Sequence, residues 1–222
     1  MSETIVENSI EKEEFKIKNW HLFLFVTLVS LILALLNDKF VMTKDVYNIM
    51  LSDKMESNRI DDYYEMIKRF SIYTYLAIPL ILWLKITFIA LLLQTPLMLK
   101  GIEVTFKETF KISVYANIPL LLMAIIKFLI MFFTPRIDYT NDLLTFIPGS
   151  ITNFISKESY SPVAYSFLSN VSIYELLWIL IVIIGIYKLK KISVQDSFIL
   201  TFSIWLGLTM LQVGLVFYFN KV

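Results

Sequence analysis

The strongest constraint on this chain is a run of sixteen residues without a charge, HLFLFVTLVSLILALL from His21 to Leu36. About 20 helical residues cross a hydrocarbon core of roughly 30 Å. The run and its flanks, Trp20 to Val41, are therefore predicted to be a membrane span. Four more apolar blocks of comparable length follow, at residues 73–99, 116–133, 163–187 and 198–219. The chain is 57% hydrophobic and 18% charged, against about 45 to 50% and about 25% in soluble domains. The predicted fold class is an all-α polytopic membrane helix bundle of about five transmembrane helices with interfacial amphipathic helices. An inner tail is expected at residues 1–19 and a single membrane domain at 20–222, with outer loops at 42–72 and 134–162.

Other classes are excluded by what the chain lacks. A net charge of +1 offers no basic field for a phosphate backbone, so no nucleic-acid partner is expected. There is no cysteine and only one histidine, which removes disulfides, thiolate chemistry and most metal-ligand sets. No nucleophile, base and orienter set stands out. The expectation is a protein that is not an enzyme, with no cofactor and no metal. His21 reads as an interfacial boundary residue. The first span lacks a basic leading segment and an Ala-x-Ala site, so it reads as an uncleaved helix and not a signal peptide.

Lysine placement sets orientation. Lys188, Lys190 and Lys191 abut the fourth span, while the long segment after the third carries only Arg136 and Lys157. The N-terminus is expected inside and the C-terminus outside. Trp20, Phe40, Tyr73, Phe133, Tyr187 and Tyr218 lie near span ends, as an aromatic belt requires.

The connecting segments carry their own patterns. Tyr63, Met66, Ile67 and Phe70 recur at helical spacing, and Asp61, Asp62 and Glu65 beside them read as a solvated face on which Glu65 pairs with Lys68 and Arg69. In KGIEVTFKETFKISVY, Phe106, Phe110 and Val114 share one face and Lys107 and Lys111 another, as in a helix lying at the inner headgroups. Lys107, Lys111, Lys188, Lys190 and Lys191 are the inner-surface lipid-contact candidates. Ser193 and Asp196 have capping-box spacing. LLTFIPGSITNFI, from Leu143 to Ile155, is too short to span and is broken by Pro148 and Gly149; it reads as interfacial, with a re-entrant segment as the alternative.

Charges inside the spans are the candidates for a functional site, because such groups are costly in lipid and face partners. Lys85 lies near the middle of the second span, Lys127 nearer the outer end of the third, and Glu175 in the fourth. Glu175 can pair with Lys127, or with Lys85 if the fourth span begins as early as Val163. Gln94, Asn117 and Gln212 are further polar groups available between helices. Pro79, Pro96 and Pro119 can kink the second and third spans.

Two stretches carry a resemblance. FKETFKISVYANIPLLL at residues 106–122 and YELLWILIVIIGIYKLKKISVQDSFILTFSI at 174–204 combine an amphipathic entry, a Tyr-x-x-x-Pro span start at Tyr115 and Pro119, and a span bearing Trp178 that ends in lysines. This resembles the YIP (Ypt/Rab-interacting protein) membrane family and its bacterial relatives over about the last 125 residues. The resemblance implies five spans with the N-terminus inside and the C-terminus outside. The Asp-Leu-Tyr-Gly-Pro signature of eukaryotic members is absent, so GTPase-linked trafficking is not carried over. Three arginines among 20 basic residues suit a bacterial cytoplasmic membrane. The expected function is a scaffold or accessory subunit that contacts membrane lipids and other membrane proteins. The alternative is a small transporter or permease subunit with a midplane polar site.

Overall fold

A computed structural model of the chain describes residues 19–135, 139, 141–156, 159–189 and 192–219. The described chain is helical, with no β-strand beyond a single Ser150–Ser172 bridge. The helices are α1 (Asn19–Leu36), continued by a π turn at Asn37–Val41, α2 (Lys44–Leu51), α3 (Ser57–Leu99), α4 (Phe106–Phe133), α5 (Asn141–Thr145), α6 (Pro162–Ser169), α7 (Ile173–Tyr187) and α8 (Val194–Phe219). A 3₁₀ turn at Ile151–Phe154 lies between α5 and α6.

Four of these helical segments are long and apolar enough to cross a membrane: Trp20–Val41, Ser57–Leu99, Phe106–Phe133 and Val194–Phe219. Only 17 to 22% of their apolar windows is buried within the fold. A soluble protein does not leave apolar surface on this scale in water, so the outer faces of these helices are lipid-facing. The chain is an integral membrane protein with an all-α bundle fold, as the apolar blocks predict.

Two of the expected boundaries move because the helices run unbroken through the amphipathic segments that precede the apolar blocks. The second span is the distal part of α3, a 43-residue helix about 64 Å long at 1.5 Å per residue. It absorbs the amphipathic segment around Tyr63 to Phe70 without a break. The third span likewise begins at Phe106, where Thr105 forms a capping box with Glu108: Thr105 N–H donates to Glu108 Oε2 at 2.7 Å and Glu108 N–H to Thr105 Oγ1 at 3.4 Å. The segment around Phe110 is thus the first turns of α4 and not a separate headgroup helix, and Phe110 packs at 6.1 Å from the Phe23 ring of α1. Both helices continue through their prolines, Pro79 and Pro96 in α3 and Pro119 in α4.

The fourth apolar block is not one helix. It divides into α6 and α7, and α7 has 15 residues, about 22 Å. The break at 170–172 is held by tertiary backbone bonds: Ile151 N–H donates to the Val171 carbonyl at 3.0 Å and Ile173 N–H to the Gly149 carbonyl at 3.1 Å. Gly149 reaches this position at φ 67°, in the left-handed region. Irregular backbone survives at membrane depth when protein groups satisfy it. The LLTFIPGSITNFI segment therefore packs onto the α6–α7 break.

Helix α4 is central, packing on α1, α3 and α7, while α8 packs on α6, α7 and α3. The main core lies where α3, α4, α7 and α8 meet, around Leu93, Ala116, Val182 and Ile186, all buried. At one end lie the short turn from α3 to α4 and the capped start of α8. In the first, Gly101 has φ 73° and Ile102 N–H returns to the Leu97 carbonyl at 3.0 Å, a Schellman-type stop. In the second, Ser193 Oγ accepts from Asp196 N–H at 3.1 Å, the expected cap. Lys100 and Asp196 tie the two together at 3.3 Å.

Candidate intramembrane polar site

Depth along the helices explains which charges meet. Measured from the short-turn end at 1.5 Å per residue, Lys85 is fourteen residues before Leu99, about 21 Å in, and Glu175 is twelve before Tyr187, about 18 Å. Trp205 is eleven residues after Val194, about 17 Å, whereas Lys127 is twenty-one after Phe106, about 32 Å. Lys85, Glu175 and Trp205 share one level, and Lys127 lies a full 10 Å beyond it by the same arithmetic.

The side chains follow this layering. Glu175 interacts electrostatically with Lys85, not with Lys127. The two charges do not close into an ion pair within 4.0 Å among the described residues. Trp205 Nε1 is buried without a close hydrogen-bond partner, and the Glu175 carboxylate faces it at longer range. Glu175 itself opens α7: its N–H donates to Ser172 Oγ at 3.2 Å, which fixes the carboxylate in the first turn where the helix dipole favours a negative charge. Lys85 is exposed on the outer surface of α3, flanked by exposed Ile81, Leu84 and Phe88. The arrangement presents one cation and one anion at the same depth, open to each other and, on the Lys85 side, to whatever covers α3.

The other polar candidates are occupied locally. Lys127 Nζ donates to the Leu144 carbonyl at 2.6 Å inside a cavity of about 420 Å³ shared with Asn37 and Met131. Gln94 Nε2 donates to the Val104 carbonyl at 3.1 Å, fastening α3 to the turn before α4. Asn117 is buried and donates to the Ser113 carbonyl at 3.1 Å, while Gln212 is exposed on α8. At the short-turn end Lys107 and Lys188 are exposed and Lys111 is half-buried, its ammonium 6.0 Å from the Tyr115 ring. Lys190 and Lys191 lie outside the described residues.

The expected pairing of Glu65 with Lys68 is replaced by a longer-range one. Lys68 Nζ lies 2.7 Å from Asp38 Oδ1 and donates to the Asp38 carbonyl at 2.9 Å, while Tyr75 O–H donates to Asp38 Oδ2 at 2.5 Å. Asp38 sits in the π turn that ends α1, so this half-buried network staples α1 to α3 near the long-loop end. Asp61 pairs with Lys44 of α2 at 2.9 Å. The legible signal for the Asp38 network was an acid within an otherwise apolar span end.

Fold and site together define a polytopic all-α membrane protein with two opposite charges at one depth, Glu175 half-buried and Lys85 exposed on α3. A family model for the Yip1 domain matches residues 10–216, well beyond the stretch that carries the resemblance. The chain belongs to the Yip1 domain family. No curated protein and no solved structure matches it.

Proposed function

We propose that the protein is a non-enzymatic scaffold or accessory subunit of a membrane protein complex, in a bacterial cytoplasmic membrane with its N-terminus inside. The observation that carries this reading is Lys85. A charge near the middle of a span costs on the order of 2.5 to 3.5 kcal/mol on insertion scales and normally faces a partner. Here it stands exposed on α3 among Ile81, Leu84 and Phe88, without a closed ion pair. A partner helix laid on that face offsets the cost by covering Lys85 and completing its pairing with Glu175. Lipid contacts fill the remaining apolar surface.

The test is the mass of the complex extracted in mild detergent, combined with a photo-crosslinker in place of Phe88. The expected result is a species well above the 26.0 kDa chain, with a crosslink at that position. A bare monomer with no crosslink overturns the reading. The second reading, a transporter or permease subunit, draws on the open Lys85–Glu175 gap and the two prolines in α3, Pro79 and Pro96. The chain has no cysteine, so Leu84→Cys gives a single clean reporter. Labelling by a membrane-impermeant maleimide favours a hydrated transport cavity, and protection from it favours the scaffold.

A further inference from the structure

Lys127 lies within a span yet away from the Lys85–Glu175 level, and the fold gives it a cavity of its own. The space of about 420 Å³ opens between the long-loop ends of α1 and α4, within the range of about 300 to 1,000 Å³ typical of small-ligand sites. Small side chains make the room, since Ala34 of α1 and Ala124 of α4 both line it. Phe128 and Met131 supply apolar wall, held in place by packing with the buried Val41.

Among the described residues no carboxylate neutralises Lys127. The ion pairs there are Lys44–Asp61, Lys68–Asp38 and Lys100–Asp196. Asp38 directly follows Asn37 of the cavity wall, but both of its carboxylate oxygens are taken, Oδ1 by Lys68 at 2.7 Å and Oδ2 by Tyr75 at 2.5 Å. Glu175 faces Lys85. The partner that Lys127 has is the Leu144 carbonyl at 2.6 Å. That is a neutral acceptor for one of the three N–H groups of an ammonium. The positive charge keeps no counter-ion at the cavity wall.

Depth identifies what can supply one. Helix α4 has 28 residues, about 42 Å, which exceeds the roughly 30 Å hydrocarbon core by about 12 Å. Shared between the two ends, the excess puts about 6 Å of helix in each headgroup layer. Lys127 is six residues before Phe133, about 9 Å, so its Cα stands about 3 Å inside the hydrocarbon. A cation at that level is costly and requires a partner. Lipid phosphates lie directly above it, and the bond to Leu144 holds the ammonium at the cavity instead of letting it extend to water.

We propose that this cavity seats the phosphate of one anionic phospholipid from the adjoining leaflet, with phosphate oxygens accepting from Lys127 Nζ and the acyl chains lying on the exposed apolar surface of α1 and α4. An ammonium-to-phosphate hydrogen bond is charge-assisted and stronger than the carbonyl bond alone. Headgroup selection follows from charge. A zwitterionic headgroup brings its own cation, which competes with Lys127 for the phosphate, whereas an anionic headgroup brings none.

The experiment is native mass spectrometry of the full chain in neutral detergent, titrated with dioleoyl phosphatidylglycerol, dioleoyl phosphatidylcholine or inorganic phosphate. Expected is one retained phosphatidylglycerol per chain, a clear preference over phosphatidylcholine, and no retained inorganic phosphate. Lys127→Gln should weaken phosphatidylglycerol retention about tenfold or more, the worth of a hydrogen bond to a charged group. Ala34→Phe keeps the lysine and should abolish retention by filling the cavity. Lys107→Gln, at the opposite end of α4, should leave it unchanged. Melting of each variant in the same detergent confirms folding. Equal retention of the two lipids, full retention in Lys127→Gln, or a loss in Lys107→Gln as large as that in Lys127→Gln overturns the proposal. A Lys127-dependent adduct of inorganic phosphate without lipid also overturns it, because the site then takes a free anion. A photo-crosslinker in place of Met42, which lines the cavity, should label lipid, and labelling of protein there instead counts against the lipid seat.

Discussion

Gly185 of α7 meets Ile112 of α4 with no room for a side chain: a Cβ on Gly185 would lie 2.8 Å from Ile112 Cγ2 and 2.9 Å from Cγ1. Real Cβ contacts do not come this close, and both Ile112 atoms belong to a β-branched side chain with little rotamer freedom. Small residues at such crossings let helix backbones approach where lipid supplies no hydrophobic drive for association. Gly185→Ala is expected to cost about 1 to 3 kcal/mol, the usual penalty for overpacking. Ile112→Ala should also destabilise, by removing buried methyl groups. The double variant should recover part of the first loss, because the two sites share one space and are not additive. Reversible unfolding in micelles measures all three, and strict additivity would place the two side chains out of contact.

The Asp38–Lys68 staple is the second test. Both side chains are about a quarter exposed, 26% and 27%, and Asp38 also accepts from Tyr75 O–H. Removing Asp38 leaves two donors short of an acceptor, so Asp38→Ala should cost about 2 kcal/mol, between surface and buried pairs. Lys68→Met costs less, since Tyr75 still satisfies the carboxylate. The Lys44–Asp61 pair is the internal control, with side chains 49% and 42% exposed; Lys44→Met should be close to neutral. The hydrogen bond to Asp61 raises the Lys44 pKa above the ordinary lysine value. Folding thus favours the protonated ammonium, and what the pair contributes is intact at neutral pH and fades only as pH climbs through the alkaline lysine range. A control pair weakening between pH 5 and 8 would contradict this.

The apolar blocks were legible because hydropathy is carried by each residue alone. The division of the fourth block into α6 and α7 was not, because 163–187 averages to one apolar run while the interruption depends on backbone bonds from Gly149 and Ile151. A local signal did exist: Ser172 and Glu175 have N-cap and N3 spacing, the same pattern that marks Ser193 and Asp196. That spacing starts the helix at Ile173, but a late start by itself favours Lys127; it is the depth counted from the short-turn end that sets Glu175 level with Lys85. Lys68 illustrates the opposite limit. Helical spacing offers Glu65 as its partner, yet the antiparallel packing of α1 on α3 brings Asp38 closer, and no one-dimensional rule contains that contact. Lys85 and Glu175 were identifiable as unusual residues, but their common depth is a property of where four helices begin.

The capping of α7 offers a third prediction. Ser172 is 2% exposed and its hydroxyl accepts the Glu175 N–H, while Ser150, also buried, donates toward the Ser169 carbonyl at 3.1 Å. Ser172→Ala should cost about 1 kcal/mol, the typical loss of an N-cap. Ser172→Asp retains an acceptor but buries a second charge beside Glu175, so it should be worse than alanine. Hydrogen exchange of the first turn of α7 gives the readout: faster exchange at Glu175 than in the centre of α7 in Ser172→Ala is expected, and unchanged protection would remove the cap from the account of the break.

The charges within the bundle give the last prediction. Lys85→Met removes an expensive intramembrane cation but leaves Glu175 without its only opposite charge at that depth among the described residues. Glu175→Gln does the converse to Lys85. Each single change should therefore destabilise the isolated chain. Replacing both should restore stability to the starting value or above it, because an ion pair exchanged for well-packed neutral groups is often neutral or stabilising. The cycle measures coupling directly, with unfolding in micelles as the readout. In the membrane the outcomes separate further. If a partner helix covers Lys85, the stable double variant loses the crosslink from position 88 while remaining folded. The two charges would then specify the partner, and the apolar faces of α3 would hold the complex together. Additive single effects would show instead that Lys85 and Glu175 act independently, and the two charges would lose their role as one site.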